Sequence, residues 1–135
     1  MAIVLDAWAL MAYFEDEPAA ADVERLLDDA EAQEEDLLLS AVNWGEIYYS
    51  VCRSVSEKAA EDIARKLMAM PIRVVPIPDD LVLVRQAAKY KAANRISYAD
   101  CFAAALAKLT SSPLVTGDEE FRALSTEIQI HWLPR

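Results

Sequence analysis

Glycine is nearly missing from this chain of 135 residues, with only Gly45 and Gly117 present. Six prolines accompany them, so long flexible linkers are not expected. Histidine occurs once, as His131, and a paired-imidazole general acid and base therefore has no residues to use. The two cysteines, Cys52 and Cys101, fall inside helix-like segments. They exclude a disulfide framework or a thiolate metal cage, fit small packing residues, and point to a reducing cytoplasm. No run of 18 apolar residues exists to cross a membrane. The start of the chain lacks the basic residues and long apolar stretch of a signal peptide, since Ala2-Ile3-Val4-Leu5 ends at once on Asp6.

What is present suffices for a core: 55% of residues are hydrophobic, and the length fits one domain over residues 1–135. The net charge of -10 looks hostile to a polyanionic partner, but it is unevenly placed. Residues 1–36 carry twelve acids and one base, Arg25, whereas the remainder carries eleven acids and twelve bases. The acidity belongs mainly to one solvated helical face, and it neither requires nor forbids a nucleic-acid substrate elsewhere.

Apolar runs and helical periodicity alternate. Strands are expected at residues 2–5, 37–39, 72–77, 114–116 and 128–132. Helices are expected at about 7–14, 19–34, 44–53, 57–69, 79–93 and 98–109. Pro76, flanked by Pro71 and Pro78, makes the third strand an edge strand. Strands alternating with helices predict an α/β fold, a three-layer α/β/α sandwich around a mainly parallel sheet of roughly five strands.

Four acids stand out on that frame. Asp6 follows the first strand, and Asp118 follows the fourth through Gly117. In a parallel sheet those strand ends share one edge, where such folds bind ligands. Glu46 and Asp100 are expected in the first turns of the helices after the second strand and before the fourth. Each acid has a plainer reading. Asn43-x-x-Glu46 and Ser97-x-x-Asp100 have capping-box spacing, and Asp6 and Asp118 suit N-caps. Caps alone, however, would scatter over both edges of the sheet, and these four converge on one. Four like charges held together invite a hard divalent cation, and Mg²⁺ suits a sparse set of oxygen ligands better than Zn²⁺, which favours His or Cys.

The segments Ile3-Val4-Leu5-Asp6, Asn43-Trp44-Gly45-Glu46, Ile96-Ser97-Tyr98-Ala99-Asp100 and Leu114-Val115-Thr116-Gly117-Asp118 resemble the signature positions of PIN-domain nucleases. Their order and spacing are similar to those of VapC-type toxins from toxin–antitoxin pairs. The resemblance implies Mg²⁺ or Mn²⁺ held by Asp6, Glu46, Asp100 and Asp118, which would also be the catalytic set, and endonucleolytic cleavage of RNA. It implies a homodimer and a small cognate antitoxin; the charge map adds that a basic residue of that partner would enter the acidic pocket. It adds Glu120 as a further acid and Thr116 as an accessory hydroxyl. In place of the family's usual Ser or Thr two residues after the first Asp stands Trp8, a packing residue by its apolar setting. Ser97 or Asn43 would then supply the missing polar contact. With no histidine pair, cleavage by direct attack of water is favoured, leaving a 5′-phosphate and a 3′-hydroxyl.

Arg85, Lys89, Lys91 and Arg95 form two i,i+4 pairs leading toward Asp100, either a solvated helix face or a track for the RNA backbone. Tyr48 and Tyr49 suit helix packing or a subunit contact. Two rival readings remain. One is another acidic-site phosphohydrolase of doubly wound fold, which Asp6-Ala7-Trp8 and the lack of any Lys after Lys108 fit poorly. The other is a non-catalytic PIN-like interaction module, in which one or more of the four acids would be expected to be lost.

Overall fold

A computed structural model describes residues 2–135. Along the chain it forms β1 (Val4–Leu5), α1 (Ala7–Phe14), α2 (Ala20–Gln33), β2 (Leu37–Ser40), α3 (Ala41–Ser54) and α4 (Glu57–Ala69). There follow β3 (Ile72–Val75), α5 (Val82–Ala93), α6 (Tyr98–Leu109), β4 (Leu114–Thr116), a short 3-10 helix (Glu119–Leu124) and β5 (Ile130–Trp132). The five strands make one sheet in the order β3-β2-β1-β4-β5, and every pairing is parallel. The sheet, with helices on both faces, is the α/β/α sandwich expected, and β3 is at its edge.

Period-two alternation explains the two cores. Val4 and Leu114 face one side, where they pack with Leu83, Ala87 and Tyr90 of α5 and with Phe102 and Leu106 of α6. Leu5, Leu39 and Val115 face the other, against Leu10 of α1, Val23 and Leu27 of α2, and Ile47 of α3. Helix α6 is buried from Asp100 through Ala107. Its alanines let it lie close between its neighbours, and that close fit leaves Asp100 little solvent.

Several boundaries differ from the sequence expectation. Helix α3 begins at Ala41, not 44, because the Ser40 side chain caps it by accepting from the Val42 N–H at 3.2 Å. Glu46 therefore lies in the second turn, and Asn43 is not its N-cap. Helix α5 starts at Val82 after Leu81, whose φ is 64°, and it ends at Ala93, so Arg95 is in the following loop and not on the helix. Strand β3 ends at Val75, before Pro76, and β5 starts only at Ile130. The 3-10 helix was not expected.

The strand order puts the site in place. β1 lies between β2 and β4, with Leu5 level with Val115. The chain leaves both central strands at the same edge, and Asp6, Thr116 and Asp118 emerge there together. This is the switch region of an open parallel sheet.

Candidate active site

Asp6 is fully buried. One carboxylate oxygen caps α1 by accepting from the Ala9 N–H at 2.9 Å, and the other accepts from the Thr116 hydroxyl at 2.6 Å. Thr116 Oγ1 in turn accepts from the Asp118 N–H at 3.0 Å. A chain of hydrogen bonds thus ties the end of β1 to the end of β4. Asp118 caps the 3-10 helix by accepting from the Glu120 N–H at 3.0 Å. Ser97 caps α6, accepting from the Asp100 N–H at 3.1 Å. The capping roles suggested by the sequence are thus real at Asp6, Asp118 and Ser97, and they coexist with convergence on one edge.

Electrostatics show that convergence. Burial pushes the Asp6 carboxyl up from 3.8 to about 8. The bonds from Thr116 and Ala9 oppose this, and the nearby Asp100 and Asp118 add to it. Asp100 is raised from 3.8 to about 7, first by burial and then by Asp118 and Glu46. Ser97 offsets part of this, and Glu120 adds a little. Glu46 is also raised, by burial first and by Asp118, against a hydrogen bond from Asn43. The charged neighbours that raise these three acids most are other acids. A cluster of this kind keeps protons or takes up a cation.

Oxygens of Asp100, Asp118 and Glu120 lie within 4.8 Å of one another. The sequence suggests Glu120 only as an accessory, whereas in the structure it stands beside two of the main four. The donor set is all oxygen, the kind a hard divalent cation prefers, so these residues fit such an ion. Glu119, by contrast, is turned outward, where Arg122 (2.8 Å) and Arg135 (3.0 Å) hold it and Arg122 foremost lowers its carboxyl.

Asn43 is fully buried on α3, one turn before Glu46. Its Nδ2 donates to Glu46 Oε1 at 3.3 Å and to the Ala99 carbonyl, next to Asp100, at 3.0 Å. Its Oδ1 has no protein partner. Nothing in the local sequence signals this bridge, which spans 56 positions to Ala99.

Trp8 packs with the α1–α3 core as expected, and its placement explains Gly117. A Cβ at Gly117 would come within 2.2 Å of the Trp8 ring, far inside van der Waals contact. The indole therefore rests on bare backbone between Thr116 and Asp118.

The four basic candidates are less closely tied to the site. Arg85, Lys89, Lys91 and Arg95 are exposed, and none is among the strongest influences on Asp6, Glu46 or Asp100. Lys91 donates to the Ile96 carbonyl at 2.7 Å and so fastens the α5–α6 loop. Tyr48 donates to Glu61 at 2.7 Å and stacks on Trp44. Tyr49 is half exposed, with Arg53 over its ring.

Comparison with known proteins agrees with this architecture. Residues 3–127 match the family described as the PIN domain. No curated protein matches in sequence. Among solved structures, VapBC2 from Rickettsia felis bound to a promoter DNA fragment superposes with a TM-score of 0.73 at 14% identity, covering 99% of this chain and 100% of that one. VapBC-1 from nontypeable Haemophilus influenzae gives 0.69 at 18%, covering 98% of each chain. VapC20 from Mycobacterium tuberculosis, described as a sarcin-ricin-loop-cleaving toxin, gives 0.66 at 19%, covering 90% and 93%.

Proposed function

This chain belongs to the PIN-domain family, and from that premise we propose that it is a divalent-cation-dependent endoribonuclease, the toxin of a toxin–antitoxin pair. The observation that carries the reading is the convergence of Asp6, Glu46, Asp100 and Asp118 at the carboxyl edge of β1 and β4, where Asp6 and Asp100 are pushed up to about 8 and about 7. Strongly perturbed pKa values cluster at functional sites.

Asp6, Asp100, Asp118 and Glu46, with Glu120 beside them, would hold Mg²⁺ or Mn²⁺. When bound, such an ion polarises a phosphodiester and lowers the cost of making a nucleophile from water. The rest is done by the chain itself. Each Asp6 oxygen accepts one hydrogen bond and keeps a lone pair, so its carboxylate is held rigidly in the site and still free to ligate. Through Thr116 it fixes the direction in which Asp118 leaves β4. The N-termini of α1 and α6 point their positive ends at this edge and offset part of the repulsion. Water attacking phosphorus with the bond to the 3′-oxygen breaking would leave a 5′-phosphate and a 3′-hydroxyl.

Several of the similar structures are toxin–antitoxin complexes, which supports a small antitoxin as partner. We further assign one nuclease domain over residues 1–135, a cytoplasmic setting and a homodimer. Among the described residues no helix is long and apolar enough to cross a membrane. Val55 and Met68 are 71% and 87% exposed, which leaves apolar surface for a second subunit. Sedimentation at high micromolar concentration should show the dimer, and a monomer alone would refute it.

The test of the main reading is cleavage of structured RNA by purified protein with Mg²⁺, Mn²⁺ or EDTA, with product ends mapped. Cleavage that persists in EDTA, or a 2′,3′-cyclic phosphate product, would overturn it.

A further inference from the structure

We propose that Asn43 is a positioning residue for the cation site: its amide holds the Glu46 carboxylate against the first turn of α6, so that Glu46 and Asp100 face one ion as a pair. The proposal rests on the cation-dependent reading above and adds a residue to it.

Three observations carry it. First, the Asn43 amide spends both of its N–H groups on the site, one on Glu46 Oε1 at 3.3 Å and one on the Ala99 carbonyl at 3.0 Å. Ala99 immediately precedes Asp100, so one planar group spans the two helices that carry the two acids. Second, the orientation of the amide is forced. Both partners are acceptors, and a flipped amide would set its oxygen against two others. Third, that orientation leaves Oδ1 buried without a partner. Native proteins rarely tolerate a buried acceptor of this kind. A residue kept for packing alone would not need it: leucine has nearly the same shape and leaves nothing unpaired. The amide is retained for its two N–H groups.

Glu46 also needs such help more than its neighbours do. Asp6 and Asp118 are locked by the backbone N–H groups they cap. Glu46 caps nothing, and its longer side chain has more rotamers to lose. Partners that orient a ligand in this way typically cost roughly 10–100-fold in metal affinity or activity when removed.

The experiment uses the full chain and Mn²⁺ as probe, with affinity read by calorimetry or by the electron paramagnetic resonance signal of the free ion, and thermal melting in EDTA run alongside. Asn43→Leu removes the donors and the orphaned acceptor together. It is expected to melt at or above the wild-type temperature while binding Mn²⁺ roughly 10–100-fold more weakly. Asn43→Ala should weaken binding to the same extent but melt lower. In a Glu46→Gln background, Asn43→Leu should change Mn²⁺ affinity by less than about twofold, because it acts through Glu46. If folded Asn43→Leu binds Mn²⁺ within about twofold of wild type, the positioning role is wrong and Asn43 is structural. An equal loss of affinity in the Glu46→Gln background would also overturn it. Wild-type protein that takes up no Mn²⁺ would overturn the cation-dependent reading itself, an outcome distinct from both.

Discussion

Replacing Asp6 by asparagine should make the metal-free protein more stable, and only toward alkaline pH. Asp6 is buried, and its carboxyl is raised from 3.8 to about 8. Over that interval the folded state keeps a proton that the unfolded chain releases. The stability tied to Asp6 is therefore complete below about 3.8 and is lost as pH rises through about 8. Each unit is worth about 1.36 kcal/mol, so between pH 5 and pH 8 wild type should lose on the order of 4 kcal/mol at this one residue. The substituted asparagine carries no titrating group. It can still cap α1 through its side-chain oxygen, since Asn and Asp are comparable N-caps. Its amide would donate to Thr116 Oγ1 where the carboxylate now accepts, much as a protonated Asp6 would. Asp100 titrates in both proteins and largely cancels in the difference. Urea unfolding of both proteins in EDTA, at pH 5 and pH 8, reads the result directly. The stability gap should widen by about 4 kcal/mol in favour of Asp6→Asn as pH rises. Saturating Mg²⁺ at pH 8 should stabilise wild type and leave the variant nearly unchanged. A gap that stays constant with pH would refute the reasoning, because Asp6 would then not be the strained charge its burial implies.

Asp100→Asn should bring RNA cleavage below about 1% of wild type with the fold intact by circular dichroism, a larger loss than outer-sphere changes cause. Gly117→Ala should cost about 1–3 kcal/mol in urea unfolding, the usual range for overpacking, since its methyl group would overlap the Trp8 ring at 2.2 Å. In a Trp8→Ala background that cost should largely vanish, and an undiminished cost would show the strain to lie elsewhere. For the antitoxin, Ala in place of the basic residue that enters the pocket should restore cleavage without dissolving the complex. Raising salt should slow association more than it speeds release, because acids crowd residues 15–36. Full inhibition by that variant would instead favour steric blockage.

The parts of the site legible in the sequence are those that follow from chain order. An acid after the first apolar run and another after the fourth must share an edge once the sheet is parallel, and Asp6 and Asp118 do. The differences have local causes. Asn43-x-x-Glu46 imitates a capping box and masks Ser40, the true cap. After Gly117, Phe121 and Leu124 stand at helical spacing, but the 3-10 turn that brings Glu120 beside Asp118 is only six residues long, too short a run to be told from a loop. The hydroxyl of Thr116 reaches Asp6 across 110 positions, and the Trp8 ring settles on Gly117 over a similar separation. Such contacts depend on tertiary packing, which no local window of sequence contains.

Asp6 and Asp118 each hold up a helix as well as the site, whereas the side chains of Glu46 and Asp100 cap no helix. This division bears on how such a protein would decay. In a lineage released from selection for catalysis, changing Asp6 or Asp118 would still unsettle the start of α1 or of the 3-10 turn. Folding would go on demanding a capping residue at both positions, with Asn as acceptable there as Asp. Glu46 and Asp100 would drift first, and for metal-free protein their loss would even be a relief. Among sequences of this shape, a capping residue at position 6 is therefore a record of foldability, and the pair Glu46 and Asp100 is the record of use.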